Sequence, residues 1–175
     1  VDFYLLIRNT VLTCFTATLA GWTEVGKTFS PTAIYTNIRT AYVKDLSEPL
    51  VDLLLKHVGK IPVGTKAMFI IHNVHGQAGK PVANSCFGMR EPHIWVGIHG
   101  QTLDENSKHE AYAWADEVVE DLKENGLMMK GGYVAQMGDN EPVEECFGEN
   151  WESLKILKRK LDHKSAFRYT VPPLV

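Results

Sequence analysis

Pro92-His-Ile-Trp-Val-Gly-Ile-His99 is the stretch from which the fold class follows. In an extended chain Ile94, Val96 and Ile98 fall on one side and His93, Trp95, Gly97 and His99 on the other. The first side is aliphatic and belongs under helices. The second is aromatic and titratable, a plausible floor for an aromatic or polyene ligand or a face that packs on a partner domain. The same period of two runs from Thr32 to Val43, where Ile34, Thr36, Ile38, Thr40 and Tyr42 oppose Tyr35, Asn37, Arg39 and Ala41. It recurs from Lys66 to His75, where Met68, Ile70, His72 and Val74 oppose Phe69, Ile71, Asn73 and His75. A short fourth strand is expected from Gly132 to Met137.

Three amphipathic helices accompany these strands. Ser47 can cap the first, Pro49 suits its first turn, Leu50, Leu53, Leu54 and His57 form its stripe, and Gly59 stops it. The second runs from about Ser107 to Glu124, with Ala111, Ala115, Val118 and Leu122 on one face and Gly126 beyond its end. The third begins near Asn150 and is expected to bury Trp151, Leu154, Leu157 and Leu161. The order strand, helix, strand, strand, helix, strand, helix predicts an α+β domain: one antiparallel sheet with helices packed on one face, a ferredoxin-like arrangement. Its other face is left for a ligand, another domain or another subunit. The domain is expected to span residues 35–175, with residues 1–34 a separate segment of uncertain role.

Composition narrows the function. The chain has 175 residues, 45% hydrophobic and 22% charged, with a formal net charge of -3, which suits one soluble domain with a core. No basic stripe points to nucleic acid, and no stretch is long and apolar enough to be read as a membrane span. Cys14, Cys86 and Cys146 are widely spaced and read as reduced thiols, which favours the cytoplasm. Leu5 to Ala20 reads as a retained structural segment; a signal remnant and the secretory pathway are the alternative. His72-Asn-Val-His75 is not expected to hold a metal, because its histidines point to opposite faces of a strand. No G-x-S-x-G, P-loop or Rossmann fingerprint is present, so neither a serine hydrolase of that type nor a nucleotide enzyme is indicated.

Cys146-Phe-Gly-Glu-Asn-Trp-Glu-Ser-Leu-Lys-Ile-Leu-Lys-Arg-Lys-Leu-Asp162 resembles the C-terminal signature of FAD-linked oxidases of the berberine bridge enzyme-like family. Phe147, Gly148, Asn150, Leu154, Lys158, Asp162, Phe167 and Pro172-Pro173 match it in order. Ser85-Cys-Phe-Gly-Met-Arg-Glu-Pro-His93 resembles a second family segment, of A-F-x-x-R type. The resemblance covers about Tyr35 to Pro173 and implies the family's substrate domain. It also shows departures. The family's Gly-rich pyrophosphate loop and flavin-linking histidine have no counterpart in this sequence. Tyr133-Val-Ala-Gln136 stands where the family often has Y-x-N, Asp162-His163 where it has Asp-Pro, and the end after Phe167 lacks the family's Asn.

The expectation is therefore a small-molecule tailoring enzyme on an oxidase-derived substrate domain. It would be flavin-free, with no cofactor, and promote cyclisation, isomerisation or elimination of a hydrophobic natural-product intermediate. The alternatives are a fragment or subunit of an FAD-dependent oxidoreductase, and a non-catalytic binding or dimerisation module. His93, His99 and Tyr133 are the candidate proton-transfer groups, with Arg90 to polarise a carbonyl or to pair with Glu91 or a helix-end carboxylate. Trp95, Phe69, His75 and Met137 are the candidate substrate contacts, and Trp22 and Glu24 the next to consider. A homodimer is the expected assembly.

Overall fold

The computed structural model describes residues 18, 20–21, 34–83, 85–137 and 142–168. Two compact units divide the chain, Val1–Ile34 and Tyr35–Val175. Cys14, Trp22, Glu24 and Pro172-Pro173 lie outside the described residues, as does most of the apolar segment from Leu5 to Ala20, and the fold below is that of the second unit.

Its elements are β1 (Tyr35–Val43), α1 (Glu48–Val58), β2 (Met68–Val74), β3 (His93–Thr102), α2 (Lys108–Glu124), α3 (Val143–Phe147) and α4 (Trp151–Leu161). The strands form one sheet in the order β1-β3-β2, antiparallel at both pairings. β3 is central and buried along its whole length. Trp95 lies opposite Tyr42 of β1 and His72 of β2, and Ile98 lies opposite Arg39 and Phe69. The strand runs three residues beyond His99, because Gly100, Gln101 and Thr102 keep pairing with Asn37, Thr36 and Tyr35.

The aliphatic face of the sheet lies under the helices. Ala41, Val43, Ile94, Val96 and Ile98 share one core with Leu50, Leu53 and Leu54 of α1 and Trp114, Ala115, Val118 and Leu122 of α2. The closest approach is at Gly100, where a Cβ would sit 2.3 Å from the Ala111 carbonyl oxygen and 3.0 Å from the Ala115 Cβ. Absence of a side chain there lets α2 lie against β3 backbone to backbone. A polar seam ties α1 to α2. The Trp114 indole N–H donates to the His57 carbonyl at 3.0 Å, and His57 Nε2 lies 2.8 Å from Asp121 Oδ2. Lys56 and His57, in that order, hold the Asp121 carboxyl below its ordinary pKa.

Two expectations need correction. Gly132 to Met137 is not a strand: residues Val134–Gln136 form a single 3-10 turn, closed by the Gln136 N–H on the Tyr133 carbonyl at 2.8 Å. Gly131, at φ 101, takes the chain through a left-handed conformation just before it, which a continuing ladder does not accept. The last helix buries none of its residues, and Leu157 and Leu161 of its expected stripe are exposed. α4 is followed by a turn organised by Asp162, whose carboxylate accepts from the Ala166 and Phe167 N–H groups and pairs with Lys158. α3 carries no periodic apolar pattern that would have announced it. Among the described residues no helix is long and apolar enough to cross a membrane.

Gly100→Ala should destabilise the domain by the upper end of the ~1–3 kcal/mol typical of overpacking, because the clash is with backbone rather than a movable side chain. Gly59→Ala, whose Cβ would have its nearest neighbour at 3.4 Å with the backbone already right-handed, should change stability by less than about 1 kcal/mol. Urea midpoints for the two variants check the contrast; equal midpoints would contradict it.

Candidate functional site

The face away from the helices is built on β3. Trp95 and His99 lie on it two positions either side of Gly97, so only Gly97 separates them on that face. A Cβ at Gly97 would sit 2.6 Å from Trp95 Cη2 and 3.1 Å from both Trp95 Cζ2 and His99 Nε2. The indole and the imidazole therefore lean together over the glycine, filling the space a side chain would take. Each is 8% exposed, and among the described residues neither Trp95 Nε1 nor His99 Nε2 has a hydrogen-bond partner. Burial holds the His99 pKa below its ordinary value, so the imidazole is neutral at neutral pH. An unpaired buried polar group costs on the order of 1–3 kcal/mol.

Two rings flank Trp95. His72 of β2 lies 4.9 Å away between centroids and is exposed; Tyr133 meets it edge-on at 5.8 Å and is 42% exposed. The result is an aromatic floor with a wet rim and two polar atoms beneath it. Such a surface suits a flat molecule carrying an oxygen, because rings supply apolar area and the nitrogens supply direction.

The remaining candidates lie elsewhere. His93 is on the expected face, but it is 2% exposed, its Nδ1–H donates to the Glu91 carbonyl at 2.7 Å and its ring packs 4.4 Å from Tyr42. It supports the sheet end rather than reaching a ligand. Phe69 points to the helix side, 5.1 Å from Trp114, and is a core residue. His75 follows the end of β2, is exposed, and its Nδ1 lies 3.3 Å from the Asn73 carbonyl. Register with β3 puts His72, not Phe69 or His75, beside Trp95. Met137 is buried, next to the turn that carries Tyr133.

Arg90 pairs neither with Glu91 nor with a helix-end carboxylate. Its guanidinium donates to the Ala78 carbonyl at 3.3 Å and to Ser85 Oγ at 2.5 Å, and lies 4.7 Å over the Phe87 ring. It closes its own loop. Cys86 is exposed, and Cys146 is buried with its Sγ 3.8 Å from the Pro142 carbonyl.

His57, Glu117 and Asp121 bring ligand atoms within 4.8 Å of one another. The Lys56 and Lys60 ammonium groups already pair with Asp121 and Glu117, so the carboxylates are neutralised from within and the group reads as the α1–α2 clamp.

No protein-family model matches the chain. Over 96 residues it is 36% identical to the FAD-linked oxidoreductase aurO of Gibberella zeae, a match that covers 55% of this chain and 19% of that protein. Among solved structures, BBE-like 1 of Physcomitrella patens, wild-type and one variant, shares the fold at a TM-score of 0.63, with 15% and 16% sequence identity, covering 74% of this chain and 28% of each of those. The chain resembles part of a berberine bridge enzyme-like protein. It spans about a fifth of the curated relative (19%) and about a quarter of the solved ones (28%).

The curated relative is FAD-linked. The first turns of α1, α2 and α4, where a phosphate would meet free N–H groups, carry Glu48, Glu110 and Glu152. A carboxylate at each repels a second anion.

His99 sets a pH dependence. Its folded pKa lies below the ordinary value near 6.5, so the unfolded chain binds a proton first and stability falls as pH drops below about 6.5 toward the folded value. His99→Gln should flatten the slope of urea midpoint against pH between about 7 and 5. An unchanged slope in that variant would contradict a buried neutral imidazole.

Proposed function

We propose that this sheet face is the substrate floor of a small-molecule tailoring enzyme of the FAD-linked oxidoreductase type, taking a flat aromatic or polyene molecule with a carbonyl or phenolic oxygen. The observation that carries this reading is that Trp95 Nε1 and His99 Nε2 are both buried without a partner among the described residues, on rings that meet over Gly97. The substrate oxygen accepts from the Trp95 indole N–H. His99, neutral and beside it, gives or takes a proton according to tautomer. Tyr133 at the rim offers a hydroxyl to the part of the substrate that faces solvent. The sequence relation to an FAD-linked oxidoreductase supports an oxidation, with the flavin held by residues other than those described.

A second reading, flavin-free cyclisation, isomerisation or elimination, has its own support. Acid–base help from His99 and positioning by Trp95 need no electron acceptor, and the carboxylates in the first turns disfavour a diphosphate. Both readings use the same floor and differ in their need for flavin.

The test is turnover of aromatic ketones and phenols by the purified chain, with and without added FAD, in the parent and in His99→Ala, Trp95→Phe and Tyr133→Phe. His99→Ala should reduce turnover by roughly 100-fold or more. Trp95→Phe, which keeps the ring but loses the N–H, should mainly raise KM. Flavin-dependent turnover supports the oxidoreductase reading and flavin-independent turnover the second. Activity that survives all three substitutions, or falls only in step with melting temperature, would remove the floor from consideration.

A further inference from the structure

The segment that carries Tyr133 has almost no secondary structure of its own: one 3-10 turn between Gly131 and Met137. What holds it is the end of β1. The Met129 N–H donates to the Tyr42 carbonyl at 2.7 Å, the Tyr42 hydroxyl donates to the Gly132 carbonyl at 3.1 Å, and the Tyr133 N–H donates to Thr40 Oγ1 at 3.4 Å. Gly131 presses on the same ring, since a Cβ there would lie 3.4 Å from Tyr42 Cδ2. Tyr42 and Thr40 are themselves 3% and 4% exposed. They share the sheet face away from the helices with Trp95 and Gly97, their register partners on β3.

From this geometry we infer that Tyr42 and Thr40 are positioning residues: they hold the 129–133 segment on the sheet and so set the Tyr133 ring against Trp95. The inference rests on that face being the ligand floor, but its test needs no ligand. Three contacts from two side chains and one backbone group fall on Met129, Gly132 and Tyr133, within five consecutive residues. The Gly131 N–H adds one to Glu145 Oε2 at 3.4 Å; of these bonds, those from Tyr42 and Thr40 flank Tyr133 on the sheet side and set whether it closes the rim. The tyrosine hydroxyl suits the task because burial, with Cys146 and Tyr133 adding to it, pushes its pKa up to about 12 and keeps it a donor throughout the working range. Thr40 works by accepting, which a valine of the same shape does not do.

Hydrogen exchange and nuclear Overhauser contacts on the intact chain read this directly. Tyr42→Phe keeps the ring against His93 and removes only the hydroxyl. It should speed exchange of the amides from Met129 to Met137 roughly tenfold, leave the β2–β3 amides within about twofold, and weaken the ring contact between Tyr133 and Trp95. Thr40→Val should do the same to a smaller degree, and serves alone if the tyrosine variant unfolds. Unchanged exchange in the segment, exchange that rises equally in β3, or an undiminished Tyr133–Trp95 contact would each overturn the inference. Such a failure would leave the floor itself untouched, because Trp95 and His99 reach their positions through Gly97 rather than through Tyr42.

Discussion

β3 is stripped of side chains at two places of opposite parity, and the architecture turns on that. At Gly100 the bare backbone lets α2 approach the sheet; at Gly97 it lets the Trp95 indole and the His99 imidazole fold over the strand. The first absence brings the helix layer close, and the second creates the floor. A central strand is where both can coexist, because neighbours on each side supply the hydrogen bonds that a glycine-containing edge would struggle to keep.

The cost of the floor is visible in its own atoms. Two ring nitrogens sit buried without partners on a sheet that is otherwise well paired, and the helix-side core offsets the penalty. The rim is built differently. His72 comes from the ladder, while Tyr133 hangs on an irregular segment tethered to β1, so one side of the floor is fixed and the other depends on a few hydrogen bonds.

Period two in β3 was enough to separate Ile94, Val96 and Ile98 from Trp95, Gly97 and His99, and that separation survives in the structure. The α+β class followed from the same alternation. What could not be read was register. A strand's parity says which residues share a face, but only pairing says which face meets the neighbour's, and pairing sets His72 rather than Phe69 or His75 beside Trp95. The Gly131-Gly132 pair was a warning against a fourth strand that an alternating Tyr133 and Met137 obscured. α4 shows the complementary failure: an apolar stripe in sequence marks a surface to be covered, not what covers it, and Leu157 and Leu161 are exposed. Arg90 looked like a substrate clamp because its segment matched a family pattern, yet its guanidinium closes a local loop. The FAD-linked resemblance was legible in the Phe147 to Phe167 region without any glycine-rich motif.

The central claim, that the Trp95–His99 pair over Gly97 is the ligand floor, is tested most directly by the indole N–H signals of the four tryptophans. A panel of aromatic ketones and phenols would be titrated into the labelled chain. The account predicts that a binding member shifts the Trp95 indole N–H and the His99 ring, leaves the Trp114 indole N–H, bonded to the His57 carbonyl under the helices, where it was, and loses its effect in His99→Ala. Ligands that shift Trp114 or Trp151 while Trp95 stays in place would contradict it.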